Sequence, residues 1–152
     1  MIDIQFADLK NHQVAHLIKT HIDYGNAHYP EESNHHLTAE KHTSEEVQLF
    51  AAWSGESCLG MVGLKKLNNY SGELKSMHVL EGGRGLGVGT KLVEHVISNA
   101  KRDGLKTLFL ETGSRNASEA ARKLYEKLDF SYCAPFGDYL EDPESVFMVR
   151  SI

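Results

Sequence analysis

Between residues 82 and 89 the chain reads Gly82-Gly83-Arg84-Gly85-Leu86-Gly87-Val88-Gly89 and then runs directly into residues 90–102, where Leu92, Val93, Val96, Ile97 and Ala100 recur at helical spacing. Glycines at this density let a backbone adopt positive φ and come close to a ligand. The first turn of a helix leaves N–H groups unpaired and its dipole favours negative charge. A glycine loop feeding a helix start is therefore an anion trap. Spacing narrows the kind of anion. No Lys-Ser/Thr pair follows Gly87, as a P-loop requires, and Gly85, Gly87 and Gly89 stand two apart rather than in the G-x-G-x-x-G order of dinucleotide sites.

Histidine and cysteine lead nowhere comparable. His12 and His16 share a helical face but lack the accompanying Glu of a zinc protease, and His35 and His36 are adjacent and so diverge. No metal is expected. Cys58 and Cys133 each sit in an apolar segment and read as small buried hydrophobes, and neither has the motif context of a nucleophile.

The elements that must position the glycine loop follow from periodicity. Ile2, Ile4 and Phe6 alternate as in a half-buried strand, and Val14, Leu17, Ile18 and Ile22 recur as on a helix. Residues 24–43 turn polar and irregular, which predicts a long loop. Two apolar runs, 47–54 and 58–67, flank Ser54-Gly55-Glu56-Ser57 as a hairpin. A second turn, Tyr70-Ser71-Gly72, leads into a strand over 73–79, giving three consecutive antiparallel strands. After the helix over 90–102, closed by Gly104, come a strand over 107–111, a helix over 117–128 and strands over 130–134 and 146–150. The predicted order is β-α-βββ-α-β-α-ββ.

No linker or repeat interrupts the 152 residues, and a chain of that length buries enough surface for one core, so 1–152 is expected to be a single domain. No apolar run reaches the roughly 20 residues that span a bilayer, and the first residues lack a secretory pattern, so the expected location is cytoplasmic, with no membrane partner. A net charge of −5 without a clustered Lys/Arg stripe argues against nucleic acid.

Two stretches resemble one family. Arg84-x-x-Gly87-x-Gly89, preceded by Glu73-Leu74-Lys75-Ser76-Met77-His78-Val79, is similar to the coenzyme A signature of the GNAT superfamily of N-acetyltransferases. Residues 116–130, an Asn before a helix that ends Leu124-Tyr125-Glu126-Lys127 and then Phe130, resemble the second signature. The resemblance covers essentially the whole chain. It implies an α/β (α+β) GNAT-like fold, a mixed, mostly antiparallel sheet of six to seven strands flanked by helices and splayed between the strands ending at Val79 and near Glu111.

It further implies acetyl-CoA as co-substrate. Its pyrophosphate would lie on Arg84, Gly85, Leu86, Gly87, Val88, Gly89 and Thr90, its pantetheine arm along Met77, His78 and Val79, with Asn116 holding the coenzyme backbone or a water. In the family an amine attacks the thioester directly, which calls for a base and for an acid to protonate the thiolate. Tyr125 matches the position of the acid. Glu73 is the preferred base, with Glu111 or water as alternatives.

The acceptor is expected to be a small-molecule or peptide amine. Its pocket is assigned to the 24–43 loop, Glu111, Asp138 and Tyr139. Asp138, Glu141, Asp142 and Glu144 would favour a cation by charge. A monomer or homodimer is expected. The alternative reading is a coenzyme A-binding regulatory module without catalysis.

Overall fold

The computed structural model describes residues 1–31 and 47–152. Its elements are β1 (Asp3–Phe6), α1 (His12–His28), β2 (Val47–Ser54), β3 (Ser57–Lys66), β4 (Ser71–Val79), α2 (Val88–Arg102), β5 (Thr107–Gly113), α3 (Glu119–Lys127), β6 (Ser131–Cys133) and β7 (Ser145–Ser151). The order matches the one read from periodicity. The strands form one mixed seven-stranded sheet, β1-β2-β3-β4-β5-β7-β6, in which β4–β5 is the parallel pair and the other neighbours are antiparallel. The chain crosses from β4 to β5 through α2, as a parallel pair requires.

Alternation along the strands splits the core between the two sheet faces. On one face α2 seats Leu92, Val93, Val96 and Ala100 against Phe50, Val62, Leu74, Leu108 and Leu110, and α3 adds Tyr125. On the other, Val14, Leu17 and Ile18 of α1 meet Leu49, Ala51, Cys58 and Met61. Asn11 caps α1, its side chain accepting from the N–H groups of Gln13 at 2.8 Å and Val14 at 3.3 Å.

Helix α1 differs from expectation. It continues through Tyr24 to His28, so the first residues assigned to a loop are helical. Their polar character reflects the side they present: Tyr24 and Gly25 line the cleft described below, not the apolar core. The 32–43 part of that expected loop, including His35 and His36, lies outside the described residues. The thiols also diverge, Cys58 being buried and Cys133 only half-buried on the short edge strand β6. No helix among the described residues is long and apolar enough to cross a membrane.

Candidate active site

Parallel pairing of β4 with β5 runs from Ser71↔Thr107 to Leu74↔Leu110 and stops, although β4 continues to Val79 and β5 to Gly113. The sheet opens there as a V, at the place expected. Among the described residues β5 does not pair with β4 beyond Leu74, and a strand edge left by its neighbour is a template for an extended ligand. A bulge adds to the opening. Between the pairs Met61↔His78 and Gly63↔Lys75, β4 carries two residues, Ser76 and Met77, against Val62 of β3. Ser76 takes φ 55 to do so. A bulge bends its strand and re-aims the neighbouring side chains.

The V is part of a cleft of about 940 Å³ that runs from the glycine loop, past β4, β5 and α3, to the second half of α1. At the loop end Gly85 and Gly87 sit at φ 78 and 75, conformations that exact a steric penalty from any other residue type. Gly87 precedes α2 without a side-chain cap, and the first helical bond is Lys91 N–H to Gly87 C=O. The N–H groups of Val88, Gly89 and Thr90 therefore remain for an anion, and all three residues line the cleft with Arg84. Gly89 is small for a further reason: a Cβ there would lie 2.9 Å from Leu124 Cδ2, so the glycine lets α2 and α3 approach. Leu86 departs from the expected set. Between two left-handed glycines its side chain turns to solvent, 55% exposed, and it does not line the cleft.

At the other end the two candidate carboxylates stand in different environments. Glu73 is buried, and its Oε2 accepts from the Tyr139 hydroxyl at 2.6 Å and from Lys75 Nζ at 3.2 Å. Lys75 Nζ also donates to Tyr139 Oη at 3.0 Å. Tyr139 is carried there by an aromatic cluster in which Phe136 stacks on Phe109 at 4.8 Å and Tyr139 packs against Phe136 and Phe147. Glu111 faces the cleft with no donor of comparable quality among the described residues. Burial pushes its carboxyl up to about 7; the Ser145 hydroxyl and the Lys75 ammonium oppose that rise, and the charges of Glu73 and Asp142 add to it. Ser145 Oγ itself is buried without a hydrogen bond of full geometry among the described residues, so its hold on Glu111 is weak.

Tyr125 sits on α3 with its ring buried edge-on to Phe130 and lines the cleft. Burial first, and then the charge of Glu111, push its phenol well above the ordinary tyrosine value, so it stays protonated at neutral pH. Met77, His78, Val79 and Asn116 also line the cleft. Asp138 does not. It is exposed, because the aromatic cluster turns its neighbour Tyr139 inward. Glu144 is engaged by Arg115 at 2.6 and 2.8 Å, whereas the charge of Asp142 reaches Glu111 in the cleft.

Sequence reasoning passed over His21, which lines the cleft from α1 together with Tyr24 and the C-cap residue Tyr29, both within the 24–43 segment assigned to the acceptor pocket. His21 and Tyr24 stand three apart on one helical face, a signal that extending the helix past Ile22 would have exposed. His21 Nδ1 lies 3.2 Å from His78 Nδ1, so the His78 side chain faces this wall and not only its backbone. Burial, and then the Arg84 charge, hold His78 below the usual histidine value. Among the described residues no group of three or more His, Cys, Asp or Glu is placed to hold a metal.

Known proteins resemble this chain in sequence and fold. The family model described as Acetyltransferase (GNAT) family matches residues 14–130. The uncharacterized N-acetyltransferase YsnE of Bacillus subtilis is 40% identical over 149 residues, which is 98% of this chain and 99% of that protein. A GNAT-family acetyltransferase structure from Staphylococcus aureus superposes with a TM-score of 0.75 at 22% identity, covering 99% of both chains. One from Elizabethkingia anophelis, with acetyl-CoA bound, superposes with a TM-score of 0.72 at 19% identity, covering 99% of this chain and 98% of that one.

Proposed function

The chain belongs to the GNAT acetyltransferase family, and on that premise we propose that it transfers the acetyl group of acetyl-CoA to the amine of a small molecule or peptide by direct attack in a ternary complex. The observation that carries the reading is the unequal state of two carboxylates in one cleft. Glu73 is already taken by Tyr139 and Lys75, while Glu111, at about 7, is matched to accepting a proton near neutral pH. We therefore assign the base to Glu111 and give Glu73 the task of fixing Lys75 and Tyr139.

In the proposed step the amine nitrogen bonds to the thioester carbonyl carbon and the C–S bond breaks. Glu111 takes the amine proton, directly or through water. Tyr125 gives its phenolic proton to the departing sulfur and recovers one from solvent, so the products are the N-acetylated amine and free coenzyme thiol. The glycine loop and the α2 N-terminus suit the pyrophosphate. The edge of β4 that β5 leaves, beside Met77 and Val79, suits the amide-bearing pantetheine arm. The acetyl-CoA carried by the similar Elizabethkingia protein supports the same use of this fold.

Release of free thiol from acetyl-CoA across a panel of polyamines, amino acids, aminoglycosides and peptide N-termini tests the reading. Amine-dependent release, lost in Glu111→Gln, supports it. Tight coenzyme binding with no release on any amine would point instead to a regulatory module.

A further inference from the structure

The end of α1 is tied to the turn that precedes α3 by contacts that neither the glycine loop nor the two carboxylates explain. Tyr24 Oη donates to Ala117 C=O at 2.7 Å, and Tyr29 Oη and Ser118 Oγ share a hydrogen bond of 2.7 Å. The Arg115 N–H donates to Tyr29 Oη at 3.2 Å, and the Arg115 guanidinium donates to His28 C=O at 2.9 Å and lies over the Tyr29 ring. Residue 113 is glycine beneath that ring, and a Cβ there would overlap the Tyr29 hydroxyl. Tyr29 is thus fitted into the mouth of the V, against β5 and the turn at 116–118.

The two walls so joined face different ligands in the proposed reaction. The 116–118 turn carries Asn116, on the coenzyme side, while α1 brings His21 and Tyr24 to the cleft opposite. Two of these bonds are part-buried and two exposed, and together the four fix residues 115–118 relative to the helix end.

We propose that Tyr29 is a positioning residue that couples the coenzyme-binding turn to the α1 wall, so that coenzyme A binding orders the end of α1. This rests on the assignment of the coenzyme to the cleft. A coenzyme that steadies the 116–118 turn thereby steadies the end of α1 chiefly through the Tyr29 hydroxyl, which holds both Ser118 and Arg115, and a helix end already ordered is a cheaper surface for the acceptor to bind.

Amide hydrogen exchange of the full chain, with and without saturating coenzyme A, tests it. In the unaltered protein coenzyme A should slow exchange of the last α1 turns severalfold. In Tyr29→Phe, which keeps the ring, and in Gly113→Ala, which keeps both hydroxyls but leaves no room for the ring, that slowing should fall to within about twofold of none. Coenzyme affinity should stay within about threefold. Equal slowing in all three proteins would show direct contact instead of coupling and overturn the proposal, as would no slowing in the unaltered protein once it is saturated. Failure of coenzyme A to bind at all would overturn the coenzyme assignment itself.

Discussion

The Tyr139 hydroxyl donates to Glu73 Oε2 at 2.6 Å across 66 residues of sequence. That bond, shared with Lys75 at 3.2 Å, stabilises Glu73 as a carboxylate by direct hydrogen bonding and ion pairing, a partnership that Glu111 lacks in equal measure among the described residues.

Replacing each carboxylate separates their tasks. Glu111→Gln is expected to lower kcat by about 10²–10⁴-fold, the usual loss on removing a general base, with coenzyme affinity little changed. Glu73→Ala removes the carboxylate partner of a half-buried Lys75 ammonium, which keeps its bond to Tyr139, and is expected to destabilise the fold by about 2 kcal/mol, seen as a lowered Tm, with a smaller loss of kcat in the protein that remains folded. A larger kcat loss for Glu73→Gln than for Glu111→Gln would reverse the assignment.

The pH dependence has a defined sign. A base at about 7 must be ionised to act, so kcat/KM should rise with pH and level off above that value. Stability should run the other way. The folded protein binds the Glu111 proton more tightly than the unfolded chain, so that contribution is fully present below the ordinary carboxylate pKa of about 4.5 and is lost as pH rises through about 7. Glu111→Gln should therefore be more stable than the unaltered protein at pH 8, by roughly 2–3 kcal/mol, and the difference should vanish near pH 4. Denaturant melts at the two pH values check this, and a variant less stable at pH 8 would contradict it.

Tyr125→Phe deletes one oxygen and keeps the ring that packs on Phe130. Stability and acetyl-CoA affinity should change little. Turnover should fall by roughly tenfold or more where chemistry limits the rate. Because the phenol is held well above its ordinary value, the unaltered enzyme should show no loss of activity below about pH 10 traceable to this residue. Turnover of the Phe variant within about twofold of the parent would make Tyr125 a packing residue.

Gly87 and Gly89 should fail differently. No heavy atom lies within 4 Å of a Cβ built on Gly87, so Gly87→Val suffers from its φ of 75, at a cost of about 1–2 kcal/mol, and from the altered cradle. Acetyl-CoA binding should weaken by about tenfold or more. Gly89→Val drives a side chain into Leu124 and should in addition cost about 1–3 kcal/mol through overpacking of α2 on α3. Calorimetric binding alongside thermal melts distinguishes the two, and unchanged coenzyme affinity in folded Gly87→Val would remove the anion-trap argument.

The splay between β4 and β5 was expected from the family resemblance alone; the sequence by itself determined the order of elements and the glycine loop at the α2 start. Each of these rests on local pattern: alternation, helical spacing, and glycines where positive φ is needed. Leu86 was assigned as part of the cradle the resemblance implies and Asp138 by its charge and place in the chain; their side chains turn to solvent because backbone direction at a loop is set by its neighbours, Gly85 and Gly87 in one case and the Phe136–Phe147 cluster in the other. The polar end of α1 read as a loop because its face meets a cleft instead of a core, and periodicity registers only apolar burial. The choice between Glu73 and Glu111 was open in the sequence for a deeper reason. Both are strand glutamates on one sheet face. What makes one a held ion-pair partner and the other a carboxyl raised to about 7 is the arrival of Tyr139 from a distant loop and the burial of Glu111 without an equal donor among the described residues. Desolvation and pairing are properties of three-dimensional surroundings, so they were decided only when the chain folded.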